Sequence, residues 1–351
     1  MKTFQPDYRN IELAASNRKA PRVPLYEHGV HPKVMEEYLG QEIMSLQWEG
    51  DYKDKVEAYR RTCDFFVKLG YDIIPVEFGA TALVQGGHGL CGHKPAIVST
   101  MDDIEKWDWK GSLQKYIDLF DDQFKAMAEA MPPGMKAIGG IGNGVFETTQ
   151  DFVPLIDLAY LKVDEPEVYT ELWKRVGDLF IELWSWFLPR YGDSYAVCRM
   201  GDDLGFRSST LIHPDQIRND VIPQYKRVVE LIHSHGKKFL FHSCGCIFEV
   251  MDDIISRVGI DAKHSNEDAI APFSRWLENY NDRIGLFGGI DMDLLCRADE
   301  ATIKAKTLEL LKLTENYNGF ALGCGNSIAD YVPLKNYLAM IETVREYRGD
   351  Y

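Results

Sequence analysis

The chain has no run of about 18 consecutive apolar residues, the length a helix needs to cross a bilayer, so no membrane-spanning segment is expected. Positive charge is short as well: 39 Lys and Arg stand against 54 Asp and Glu, a net charge of −15. Non-specific binding of nucleic acid needs a basic face, and this balance argues against it. Cysteine is sparse and odd in number, seven scattered over 351 residues, which does not make a disulfide framework. The opening residues, Met1-Lys2-Thr3-Phe4-Gln5-Pro6-Asp7, lack the apolar stretch of a signal peptide. A reducing cytoplasm is the expected compartment. Low-complexity tracts are missing, and so is any repeat beyond the alternation described next.

What is present is that alternation. Short runs rich in Val, Ile, Phe and Gly at 23–27, 71–77, 136–141, 195–200, 238–242, 260–264, 284–290 and 319–324 read as buried strands, with helical periodicity between them. Over 165–188, Val168, Leu172, Val176, Leu179, Leu183 and Phe187 form one stripe. Over 214–235, Ile217, Val221, Tyr225, Val228 and Ile232 form another, which stops at Gly236. Further helices are expected at 298–317 and, opened by Pro333, at 333–347. A composition 45% hydrophobic and 26% charged suits a soluble chain with a sizeable core. The length fits two domains or one α/β barrel. Eight strand candidates separated by helices predict a single (β/α)8 TIM barrel over 21–351, preceded by a polar arm at 1–20. An open doubly wound sheet is the alternative. The segment 44–57, with Trp48 and many charges, is expected to cover one barrel end, and the Gly-rich stretch 79–93 is the longest loop.

A barrel gathers the carboxyl ends of its strands at one mouth, where its chemistry is done. In order, the ends carry Glu27 and His28, Glu77, Asn143, Asp202 and Asp203, His242 and Cys244, His264, Asp291, and Cys324. His242-Ser243-Cys244-Gly245 and, eighty residues on (324 − 244), Cys324-Gly325 supply one imidazole and two thiols. That is a donor set zinc prefers, and three protein ligands leave a fourth position for water or substrate. His242, Cys244 and Cys324 are therefore the expected metal ligands, one zinc per chain. The two glycines are expected to let backbone approach the ion. Asp202, Asp203 and Glu27 are candidates for catalytic roles, with Glu27 also a candidate fourth ligand. His28, Glu77, Asn143, His264 and Asp291 are candidates for holding substrate. Each has a plainer reading, since buried cysteine is usually a small hydrophobe and Cys246 is read that way. His88-Gly89-Leu90-Cys91-Gly92-His93 is a rival ligand cluster. His233 and His235 read as helix-end residues.

Gly201-Asp202-Asp203-Leu204-Gly205, Phe241-His242-Ser243-Cys244-Gly245, Leu286-Phe287-Gly288-Gly289-Ile290-Asp291 and Pro333-Leu334-Lys335-Asn336 together resemble the uroporphyrinogen decarboxylase superfamily. Within it, the His-x-Cys followed by a later Cys resembles the zinc motif of the corrinoid-linked branch, the methylcobamide:coenzyme M methyltransferases. The resemblance implies a methyl group moved, in either direction, between a corrinoid carried by a partner protein and a small methyl donor or acceptor, a thiol or a methylated ether, amine or alcohol. It also implies a possible homodimer. True uroporphyrinogen decarboxylases share an early Arg-rich segment that holds substrate carboxylates. Here Arg22-Val23-Pro24-Leu25-Tyr26-Glu27-His28-Gly29-Val30-His31 offers an acid and imidazoles instead. The wording of Ala321-Leu322-Gly323-Cys324-Gly325-Asn326-Ser327 departs from the methyltransferases, so substrate specificity is not carried over. A metal-independent decarboxylase of a porphyrinogen-like substrate and a non-catalytic binding protein are the other readings.

Overall fold

The computed structural model describes residues 4–84 and 95–350. Among them seven strands form one parallel sheet in chain order: β1 (Ile73–Gly79), β2 (Lys136–Gly142), β3 (Tyr195–Gly201), β4 (Lys238–His242), β5 (Ala262–His264), β6 (Gly285–Ile290) and β7 (Phe320–Cys324). Each lies within two residues of its expected place. Parallel strands are covered on both faces, so they show as unbroken apolar runs, which is the pattern the sequence displays. The helices follow their stripes. All six stripe residues of the long helix Pro166–Tyr191 and all five of the segment 214–234 are buried.

The eighth strand does not form. Residues 23–27 make a single parallel bridge, Leu25 to Leu322 of β7. Tyr26 N–H donates to the Leu322 carbonyl and Leu322 N–H to the Pro24 carbonyl, both at 2.9 Å. Pro24 has no N–H to give to a ladder, and among the described residues this segment has no backbone hydrogen bond to β1. The expected closed eight-stranded barrel is therefore corrected to a seven-stranded half-barrel. Side chains span the remaining gap: Glu27 accepts the Tyr71 hydroxyl at 3.1 Å, and the Tyr71 and Tyr337 hydroxyls meet at 2.7 Å. Gly323 makes the close approach possible, because a Cβ there would fall 1.6 Å from the Tyr26 carbonyl oxygen.

The stretch read as a polar arm contains a helix, α1 (Arg9–Ala15), with Ile11, Ala14 and Ala15 fully buried. They pack with Ile73, Ile138, Leu240, Ala262 and Ala321, the innermost side chains at the amino ends of the strands. Asp72 fixes this helix to the sheet, accepting Asp7 N–H at 2.7 Å and Asn10 Nδ2 at 3.1 Å, and it also pairs with Arg22. The amino end of the half-barrel is thus filled, and the carboxyl end is left for the site. Among the described residues no helix is long and apolar enough to cross a membrane.

Candidate active site and metal centre

β4 ends in His242, and the chain continues through Ser243 to Cys244. Alternate residues of a strand share a face, so His242 follows Leu240 into the interior and Cys244 follows His242. His242 Nε2 lies 3.5 Å from Cys244 Sγ. β5 pairs with β4 so that His264 stands beside His242. The two Nδ1 atoms are 2.8 Å apart, and His264 Nε2 is 3.0 Å from the Cys324 carbonyl oxygen. His28 stacks on His242, with ring centroids 3.7 Å apart and planes 19° apart. Burial pushes all three imidazoles well below their ordinary value, His264 to about 3. They are neutral, as metal-binding imidazoles must be.

Among the described residues, two groups of possible ligand atoms lie within 4.8 Å of one another: His28, His242 and His264, and Asp203, His242 and Cys244. Asp203 also accepts the Cys244 N–H at 3.0 Å, tying the loop after β3 to the loop after β4. Cys324 belongs to neither group. It has the strand parity of Leu322, whereas Ala321 faces the interior beside Leu240. Its thiol donates to the Asn326 carbonyl at 3.1 Å, and its N–H donates to Glu27 at 3.2 Å. Asn326 joins the two cysteines, since its Nδ2 donates to Cys244 Sγ at 3.4 Å. Burial raises both thiols above their ordinary value and pushes Glu27 up to about 7.

Several strand-end residues are committed to holding the scaffold. Asp202 is fully buried, and its two oxygens accept Phe146 N–H at 2.8 Å and Glu147 N–H at 2.7 Å, capping the helix Val145–Phe152. Asp291 accepts Asp293 N–H and Asp268 N–H, each at 2.8 Å, so it caps the helix Met292–Arg297. Asn143 takes positive φ at the end of β2 and bonds Glu147 and Thr81. Glu77 points inward, pairs with Arg199 at 2.8 Å, and lies 3.7 Å from His28 Nε2. Gly245 has a φ of +79° and presses on Gly205 backbone, 2.1 Å from where its Cβ would sit; the backbone approach expected of it is to that loop. Cys246 is partly buried, and its N–H donates to the Phe206 carbonyl at 2.6 Å.

Sequence reading passed over three charged groups here, Arg199 and Lys263 buried and Glu147 half-buried. Arg199, inside β3, holds Glu77 and also donates to the Tyr26 hydroxyl at 2.9 Å. Glu147 accepts the Asp203 N–H at 3.2 Å, and burial pushes it up to about 7. Lys263, inside β5, bonds the Ser265 carbonyl with its ammonium 3.6 Å above the Trp276 ring, and burial lowers it to about 7. A charged residue interrupting a short apolar strand was the available signal for Arg199 and Lys263. Beside the cluster a cleft of about 780 Å³ opens, lined by Arg207, Glu267, Asp291, Asn326 and Tyr331. The rival cluster His88, Cys91 and His93 lies outside the described residues.

Residues 72–347 match the profile of the family described as uroporphyrinogen decarboxylase (URO-D). No curated protein sequence matches the chain. Among solved structures, a methyltransferase from Methanosarcina mazei is similar over 98% of this chain and 99% of its own, with a TM-score of 0.71 and 16% identity. At that identity the likeness is one of fold. A 3-keto-D-glucoside 4-epimerase from E. coli is similar over 83% of this chain and 94% of its own, with a TM-score of 0.40 and 12% identity.

Proposed function

Because the chain belongs to the uroporphyrinogen decarboxylase family, we propose that it is a zinc-dependent methyltransferase, moving a methyl group between a small substrate and a corrinoid carried by a partner protein. One observation carries the reading: a neutral imidazole nitrogen and a thiol, two residues apart at a strand end, converge to 3.5 Å beside a carboxylate. Nitrogen and sulfur donors fit zinc. Both thiols are raised by burial, so a cation is the natural means of holding them as thiolates. In the proposal His242, Cys244 and Cys324 hold the ion, one per chain. Asn326 touches both sulfurs, which keeps Cys324 in the set although its thiol is turned toward Glu27 and Asn326. When bound, zinc would lower the pKa of a substrate thiol, or polarise a methylated ether, amine or alcohol.

The chain's own residues supply the rest. Asp203 fixes the Cys244 backbone, and Glu27 fixes that of Cys324. His28 covers one face of His242, and the acid-lined cleft beside Asn326 is where the small substrate would be received. The decarboxylase reading is less well supported, because Arg199, a guanidinium in the interior, is already committed to Glu77 and Tyr26.

Two measurements test the proposal. Protein purified without added metal is expected to contain or take up one zinc per chain. With methylcobalamin standing in for the partner's corrinoid and a panel of small thiols as acceptors, it is expected to consume the methyl–cobalt absorbance. Cys244→Ser and Cys324→Ser are expected to lose zinc and turnover together, while Cys246→Ser keeps both. Full zinc occupancy in Cys324→Ser with loss in Asp203→Asn would transfer the third ligand to Asp203. No zinc uptake by the wild-type protein would sink the reading.

A further inference from the structure

We propose that His264 is a positioning residue: it dictates which nitrogen of His242 carries the proton, and so leaves the Nε2 electron pair of His242 facing Cys244. Its value for metal binding rests on the zinc reading above, whereas the proton arrangement itself does not. The reasoning is a count of donors. A carbonyl oxygen only accepts, so the 3.0 Å contact between His264 Nε2 and the Cys324 carbonyl puts a proton on His264 Nε2. His264 is fully buried and, among the described residues, has no carboxylate among its hydrogen-bond partners. An imidazolium there would carry an uncompensated buried charge, so the ring is neutral and its Nδ1 accepts.

That acceptor lies 2.8 Å from His242 Nδ1, which must therefore be the donor. His242 is then neutral with its proton on Nδ1, and its Nε2 presents a free electron pair 3.5 Å from Cys244 Sγ. The relay runs from the backbone of β7 through the imidazole at the end of β5 to the one at the end of β4. Its middle ring is held in place. Tyr26 meets His264 edge-on, with centroids 5.0 Å apart, and Arg199 holds the Tyr26 hydroxyl. Cys324 takes part through its carbonyl, whatever its thiol does. Metal-bound imidazoles generally owe their tautomer to such a partner on the second nitrogen, and loss of the partner weakens binding.

The first test needs no metal. In protein labelled with 15N-histidine, long-range nitrogen–proton spectra are expected to show His242 protonated on Nδ1 and His264 on Nε2. A His242 protonated on Nε2 would overturn the proposal. The second test is zinc competition against a chromophoric chelator. His264→Leu, which removes the acceptor, is expected to bind about 10–100-fold more weakly, and the d–d bands of the cobalt-substituted protein are expected to shift. His264→Asn should recover most of the affinity, because its amide oxygen can accept from His242 Nδ1. A leucine variant binding zinc as tightly as wild type would also overturn the proposal. Should that variant fail to fold, the wild-type spectrum still decides. Should the wild-type protein bind no zinc, the function proposed above fails, while the spectrum independently upholds or refutes the relay.

Discussion

Asp202→Ala removes the carboxylate that accepts the N–H groups of Phe146 and Glu147, and the expected damage is to stability rather than to chemistry. Hydrogen bonds to a charged acceptor contribute about 1.5–3 kcal/mol each, so two give about 3–6 kcal/mol. Burial, followed by the charge of the neighbouring Glu147, pushes Asp202 well above the usual carboxylate range, which offsets part of this. A loss of about 3 kcal/mol is the expectation, somewhat above the ordinary value of about 0.5–2 kcal/mol for a helix cap. An unfolding entropy of about 2.1 cal/mol/K per residue, taken over 351 residues, comes to about 0.74 kcal/mol/K. The melting temperature should therefore fall by about 4 °C (3 divided by 0.74). Zinc content and turnover, measured below the new transition, should be retained. Asp203→Ala, which loses one such hydrogen bond, to the Cys244 N–H, should lower the melting temperature by less and, in the zinc reading, should weaken metal binding. Calorimetry, metal analysis and the methyl-transfer assay on both variants decide the matter. An Asp202→Ala protein that melts like wild type but no longer turns over would refute the capping assignment and return Asp202 to the chemistry.

Two other perturbations probe the scaffold. Gly323→Ala places a methyl group against the Tyr26 carbonyl oxygen and must push residues 23–27 off β7; its cost should reach or exceed about 3 kcal/mol, the upper end of ordinary overpacking, and an unchanged urea midpoint would contradict the described approach. Asp261 accepts Phe239 N–H at 2.8 Å and meets His233 and Lys238 at 2.7 Å each. Burial opposes its ionisation, but these partners still hold its carboxyl below the usual range. A depressed folded-state pKa gives stability that is present above the unfolded value, about 3.9, and lost as pH falls through the folded value. Below about pH 4 the wild-type urea midpoint should drop more steeply than that of Asp261→Asn, and parallel curves would count against the assignment.

The strands were legible because burial on both faces leaves a mark that needs no alignment, as in Lys238–His242, whose bounds the apolar run gives without error. The pair His242 and Cys244 was legible for the same reason, a period of two carried past a strand end. Cys324 was harder. Convergence of strand ends at one mouth says nothing about parity, and Cys324 shares its face with Leu322 rather than with Ala321. Asp202 and Asp291 were ambiguous from sequence, because an acid just after a strand and before a helix stands where a cap is needed and equally where a catalytic group would stand. The failed strand at 23–27 had its warning in Pro24. The relay through His264 could not be read at all, since it depends on a carbonyl sixty residues away in the chain.

The burial of Ile11, Ala14 and Ala15 beneath the sheet closes the amino end of the half-barrel, so among the described residues the doorway to His242 and Cys244 lies at the carboxyl ends of the strands. A corrinoid-bearing protein seated across the doorway would shut in any small molecule already inside and shut out any that had not arrived. In the proposed reaction traffic would then be sequential, with the small substrate first in and last out. For the proposed reaction, steady-state kinetics should show compulsory order, and excess partner should slow turnover by trapping the small molecule behind it.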